Sequence, residues 1–443
     1  MQLAYVRVIE RKSMLKINRK LREMRDNGES IKLAIIGCGK MGASLVSQLS
    51  KLDAMEVKLI VDRNPQKAIK ALVNAGIAED KIIFTDDYNE GYEVLEKGYV
   101  AVSTNYRLAY KLLQINAVVD CTGNPSFGAV IARKTIQYHK HMISFNVECD
   151  AVVGPVLHDM AKKAGVVYTG ILGDEPGAIM DLVDNAYGMG LEVLVAAKGK
   201  NNPLDNYATA ESLEEEAKAK KLSPKMLTSF VDGTNTMMEL NVVCNALGFL
   251  PDTFGCHGIT TSPDKAVDDF RLKSEGGVLN SYGVVEFSPG MAPGVFIIVT
   301  SDQEDVKDLM KFLGFGDGPN YLLYRPYHLT SLEAPITIYN AVVENEPTIA
   351  PIHGQVADTV AIAKRDIKKG EKLDGIGSDK VFGKLTTHDR SIKEDLLPIG
   401  IITAKTEAIV DIPKDTIIDM SMVKIDEKAT ITRLRRRQNS MKL

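Results

Sequence analysis

Residues 31–42, Ile31-Lys32-Leu33-Ala34-Ile35-Ile36-Gly37-Cys38-Gly39-Lys40-Met41-Gly42, decide how the chain begins to fold. Five of the first six residues are apolar, which reads as a strand buried on both faces. Glycines then stand at 37, 39 and 42, and apolar residues recur at helical spacing at Met41, Leu45, Leu49 and Leu52. A G-x-G-x-x-G between a strand and a helix has a physical meaning. The first glycine allows a tight turn, the second lets backbone approach a pyrophosphate, and the third lets helix and strand pack closely. The helix N-terminus adds amide donors and partial positive charge. Gly37, Gly39, Lys40, Met41 and Gly42 are therefore expected to cradle a dinucleotide.

The next apolar run, VKLIVD, is a second strand ending at Asp62. An acid there accepts a hydrogen bond from the adenine ribose 2′-hydroxyl and favours NAD. Arg63 follows directly and suits a 2′-phosphate, so NADP stays open. Further strands are expected at Ile82–Phe84, Ala117–Asp120 and 141–146, which makes a doubly wound parallel α/β sheet of Rossmann type. Cys121-Thr122-Gly123-Asn124-Pro125 closes the strand AVVD. It reads either as a plain turn or as a segment holding Thr122, Gly123, Asn124 and Pro125 beside the nicotinamide half.

Working outward, the patterning changes twice. A Gly-rich middle mixes a long helix expected over Lys225–Leu247 with strand-like runs such as VLVAAKG and GVFIIVT, which reads as an α+β catalytic domain. The last ninety or so residues carry two similar β segments, AIAKRDIKKGEKL and AIVDIPKDTIIDMS, which suggests a small all-β domain. The expected organisation is 1–29 as N-terminal extension and helix, 30–170 as the Rossmann domain, 171–354 as the catalytic and dimerisation domain, and 355–443 as a β-clip with a basic tail.

At 443 residues the chain exceeds one hydrophobic core. The formal net charge of −4 is spread along the chain and leaves no footprint for nucleic acid. The one basic run, Arg433–Arg437, is expected to be a solvated terminus without function. Five cysteines without CxxC spacing suggest neither disulfides nor zinc and fit a reducing cytoplasm. No run is long and apolar enough for a membrane span, and Met14 is a candidate start with the first thirteen residues as extension.

Polar clusters in the middle domain are the candidate chemistry. Lys198-Gly199-Lys200-Asn201-Asn202 ends an apolar strand, and lysines at i and i+2 on extended chain share a side that suits an anion or a proton transfer. The alternative is a solvated turn. Asp174 and Glu175 precede a helix, where the helix dipole alone also favours acids. Asp232, Asn235 and Glu239 share one face of an apolar helix and need partners there. Arg325, His328 and His353 are loop residues weighed as catalytic against structural.

The stretches IKLAIIGCGKMG, VVDCTGNP, NVECD, GDEPGAIMDLVDNA, AAKGKNNPLD, VDGTNTMMELN and RPYHLTSLEAP, with a C-terminal SAF-type segment, resemble homoserine-dehydrogenase-like oxidoreductases with a SAF domain. The resemblance is to the 1-deoxy-D-xylulose 5-phosphate reductoisomerase-like, or DRL, enzymes. It implies a soluble homodimer with three domains and reduction and isomerisation of 1-deoxy-D-xylulose 5-phosphate to 2-C-methyl-D-erythritol 4-phosphate with NADPH, or action on a related small anionic polyol, sugar acid or sugar phosphate. It also implies Lys198, Lys200 and Asn201 as the substrate and catalytic cluster, with Glu148 beside the cofactor. Asp174 and Glu175 would hold Mg²⁺ or Mn²⁺ if an enediolate is clamped. Asp62 departs from the NADPH expectation. Alternatives are a dehydrogenase without isomerisation and a non-enzymatic NAD- or carbohydrate-binding protein.

Overall fold

A computed structural model describes residues 16–441. The expected thirteen-residue extension lies outside them, and the helix foreseen after Met14 runs over Lys16–Asp26. The chain divides after Ala117 into two compact units. The boundaries expected at 170/171 and 354/355 both fall inside the second.

In the first unit β1 (Ile31–Ile36) pairs parallel with β2 (Met55–Val61), and β2 and β3 (Ile82–Phe84) both pair with β4 (Val100–Ser103). β4, VAVS, is short and ends in serine, which is why its pattern did not announce a strand. Helices Lys40–Leu49 and Pro65–Asn74 connect the strands, the second opened by an Asn64 side-chain cap and Pro65.

After the unit boundary the same alternation goes on through β5 (Ala117–Asp120), β6 (His141–Ser144) and β7 (Tyr168–Gly170), with β6 pairing parallel with β7, a doubly wound Rossmann-type fold. A helix starts at Val147 under an Asn146 cap and runs to Ala164 through Pro155. A second sheet has the order β12-β11-β8-β10-β9, formed by β8 (Glu192–Gly199), β9 (Leu250–Pro251), β10 (Val284–Ser288), β11 (Val295–Thr300) and β12 (Asn320–Arg325). Helices Glu175–Gly188 and Thr234–Leu247 pack on one face, burying Ile179, Leu240, Val243, Phe287 and Ile297 in one core. The helix expected over Lys225–Leu247 is two helices, because Gly233 at φ +87° ends Pro224–Val231 and starts the next.

The C-terminal region is built on an antiparallel pair, β13 (Ala357–Ala363) with β14 (Val381–Thr387). The two segments read as similar pair with each other, through bridges between Ile367 and Ile412 and between Ile362 and Ile417. The basic run is a correction. It forms the helix Thr430–Asn439, whose Ile431, Leu434, Arg435 and Gln438 are buried, since successive turns of one face meet a packed surface.

Candidate functional site

In the first unit Gly37 has φ +94°, a conformation that glycine alone adopts without strain, and its N–H donates to Val61 O at 2.8 Å. Gly39 is the cap residue and Gly42 is buried within the helix Lys40–Leu49, while Lys40 and Met41 are exposed. The Asp62 carboxylate accepts from Cys38 N–H at 2.7 Å and from Asn64 N–H at 2.8 Å. It therefore braces the glycine turn and keeps lone pairs for a ribose hydroxyl. Arg63 beside it is exposed. Sequence reading missed Asp86, which accepts from Ser103 Oγ at 2.6 Å, Thr104 Oγ1 at 2.7 Å and Asn105 N–H at 3.0 Å, ordering the loop at the carboxyl end of β4. Its only signal was position: ligands of such sheets bind at that end of the strands.

In the second unit buried Asp120 accepts from Thr122 N–H at 2.9 Å, Thr122 Oγ1 at 2.6 Å and Asn146 Nδ2 at 3.1 Å. Asn146 also donates to Asn124 O at 2.9 Å. Gly123 takes φ +60°, and Asn124 caps the helix that Pro125 opens. The turn is thus tied to the start of the Val147–Ala164 helix, where burial pushes the Glu148 carboxyl up to about 7.

The expected polar residues of the middle domain converge only in part. At the end of β8, Lys198 pairs in register with Phe287 of β10 and Val295 of β11 and turns its side chain toward the two helices. Its ammonium donates to Glu175 Oε1 at 2.7 Å and to Glu239 Oε2. Asn235, one turn before Glu239, donates to Glu239 Oε1 at 2.5 Å. Burial alone would lower the Lys198 pKa, but the Glu175 and Glu239 charges outweigh it and hold the ammonium charged. Burial likewise works against ionised Glu175, and Lys198 and His328 outweigh it. Burial and then the acid neighbours push Asp174 and Glu239 up, so Asp174 carries a proton toward Glu175. Oxygens of Asp174, Glu175 and Glu239 lie within 4.8 Å of one another.

His328 meets Gly173 O through Nδ1 at 3.1 Å and places Nε2 3.5 Å from Glu175 Oε1. Lys200 is 4 % exposed, and its ammonium donates to Phe230 O at 2.7 Å. Burial, then the like charge of Lys198, lowers its pKa to about 8, with Glu239 and Asp232 pulling the other way. Asn201, next in line, is exposed.

Three residues stand elsewhere. Arg325 is spent on Glu333 and lies 3.6 Å from Asp181, stacked on Tyr327. His353 rests against Gly248 at the far end of the Thr234–Leu247 helix, about 13 Å along the axis from Glu239 at 1.5 Å per residue. It is a cap neighbour, so its loop position misled. Asp232 is spent on Lys364 at 2.8 Å and reaches the cluster only through its charge on Lys200. The expectation that Lys198 grips an anionic substrate is corrected as well, because two internal carboxylates already occupy its charge.

Two family models match the chain: "Oxidoreductase DRL, catalytic domain" over residues 173–334, which contains this cluster, and "NADP oxidoreductase coenzyme F420-dependent" over residues 32–90, which contains the glycine turn. The protein is an NAD(P)-dependent oxidoreductase. No curated protein matches it. Solved structures overlay loosely. Levoglucosan dehydrogenase in complex with NADH and levoglucosan is 14 % identical, over 72 % of this chain and 91 % of that one, with a TM-score of 0.36. The WlbA dehydrogenase of Bordetella pertussis, in complex with NADH and UDP-GlcNAcA, is 15 % identical over 42 % and 50 %, with a TM-score of 0.28. Among the described residues no helix is long and apolar enough to cross a membrane.

Proposed function

We propose that the enzyme interconverts a secondary alcohol and a ketone on a small polyol, sugar acid or sugar phosphate, and that the group moving the hydroxyl proton is Lys200. The observation that carries this reading is the pair of lysines at the end of β8: one fixed and charged between carboxylates, the other buried and donating to Phe230 O. In the oxidative direction the C–H hydride leaves to the bound nicotinamide with both bonding electrons, and the O–H proton passes to the neutral Lys200 amine. Lys198, whose charge Glu175 and Glu239 already balance, holds those two carboxyl groups in place near Lys200. Asn235 and Glu239 fix its position, and His328 lies between Gly173 O and Glu175 Oε1, with Nδ1 on the first and Nε2 3.5 Å from the second.

Asp174, Glu175 and Glu239 are an oxygen donor set of the kind Mg²⁺ or Mn²⁺ takes. The Lys198 ammonium already donates to two of them, so a divalent ion does not fit unless the lysine withdraws, and no step is routed through one. An isomerisation in the DRL manner and a homodimer belong to the same reading. It is supported by the matching catalytic-domain model and by the convergence of Glu175, Lys198, Asn235, Glu239 and His328. The test is a panel of sugar phosphates, sugar acids and neutral polyols with NAD, NADP and their reduced forms, followed by absorbance and by carbon-13 spectra of the product. Turnover with an intact carbon skeleton would favour plain dehydrogenation, and a rearranged skeleton would favour the reductoisomerase. No turnover on any hydroxyl or carbonyl substrate would contradict the proposal.

A further inference from the structure

The basic C-terminal run and a proline inside a helix belong to one device. The helix Val147–Ala164 carries Pro155, which has no N–H to offer. In the core, groups left without partners must be met from elsewhere. The carbonyl of Ala151, whose regular donor would be residue 155, accepts from Gln355 Nε2 at 3.1 Å. Val152 O accepts from Gln438 Nε2 at 3.0 Å and from Arg435 at 3.2 Å. Gln438 Oε1 in turn accepts from Val156 N–H at 3.0 Å. One side-chain amide therefore pairs with both groups that an unbroken turn pairs with each other. The mend is itself anchored. Gln438 Nε2 donates to Gln355 Oε1 at 2.7 Å, and Arg435 grips Asp358 with two N–H groups at 2.7 and 2.8 Å. Arg435 and Gln438 are 4 % and 3 % exposed, while Arg436 between them faces outward.

The half of the helix before the break starts at Asn146, whose side chain joins Asp120 to the Asn124 turn, and it carries Glu148. We infer that Gln438 and Arg435 are positioning residues: the C-terminal helix holds the segment 147–154, and with it Asn146 and the Thr122–Pro125 turn, in the arrangement that receives the nicotinamide half of the cofactor. The inference rests on the functional reading above for what that turn does, and goes beyond it in giving the basic run a task. That task uses the buried face of the helix and leaves its exposed arginines out.

The test compares affinity for the whole dinucleotide with affinity for its adenine fragment, ADP or 2′-phospho-ADP. Gln438→Met keeps length and bulk and removes the hydrogen bonds to Val152 O, Val156 N–H and Gln355 Oε1. The variant is expected to bind the fragment as wild type does, to lose the extra affinity that the nicotinamide half confers, and to fall by up to about 100-fold in kcat. Arg436→Ala should change none of these. A purely structural role would lower the melting temperature and leave the ratio of the two affinities at the wild-type value, and that result would overturn the inference. If Gln438→Met does not fold, Arg435→Lys, which keeps the charge on Asp358 but loses the fork to Val152 O, decides by the same ratio. Wild-type protein that gains nothing from the nicotinamide half would overturn the functional reading and the inference with it. A full wild-type gain retained by the variant would overturn the inference alone.

Discussion

Lys198 shows at the scale of one residue why the site must be treated as a unit. An ammonium buried at 4 % exposure is costly to desolvate, and it stays charged only because Glu175 and Glu239 face it. Removing it leaves the two carboxylates facing each other without a cation. Lys198→Met is expected to destabilise the protein by about 3–5 kcal/mol at neutral pH, the usual cost of stripping one partner from a buried pair. The cost should shrink as pH falls, because protonation of the acids removes the like charges. Urea unfolding at two pH values checks this, and a loss below about 1 kcal/mol at neutral pH would contradict it. The lysines, Glu175 and the polar face of Asn235 and Glu239 were legible as candidates from spacing and burial pattern. Their pairing was not. Lys198 and Glu239 lie 41 residues apart on a strand and a helix, and only the packing of that helix on the second sheet joins them.

At the scale of the element, β8 is the part on which the chemistry hangs, and Gly199 is what allows it. A Cβ at 199 would stand 2.5 Å from backbone atoms of Met291 and Ala292, the turn between β10 and β11. The glycine in K-G-K thus permits backbone to approach backbone. Gly199→Ala should cost about 1–3 kcal/mol through overpacking. It should also push Lys198 and Lys200 out of place, so kcat falls further than the stability loss explains. A thermal melt with steady-state kinetics separates the two, and unaltered kcat in a folded variant would contradict the placement of the site. The Rossmann strands were readable because each is decided locally, by an apolar run, a glycine turn and a helical period. The second sheet was not, because β8 has a parallel neighbour on one side and an antiparallel one on the other, an order set by connections far apart in sequence.

At the scale of the molecule, the described residues form one unit bearing the glycine turn and a second bearing the lysine cluster, the β13–β14 region and the C-terminal helix. Composition suggested a solvated basic tail, since five positions rich in arginine look exposed. Arg435 is instead buried by Asp358, 77 residues earlier, a partner no local pattern names. The central claim is that Lys200 moves the proton that accompanies hydride transfer, and its pKa near 8 fixes the sign of the pH dependence. Below about 8 the ammonium can donate, so ketone reduction should hold a plateau there and decline as pH rises. Oxidation needs the neutral amine and should climb through the same value. The most direct measurement is the pH profile of kcat/KM in both directions for wild type and Lys200→Met. The account predicts opposite limbs near pH 8 in wild type, with both limbs lost in the variant and kcat lowered by about two to four orders of magnitude. Identical profiles and rates for the two proteins would contradict it.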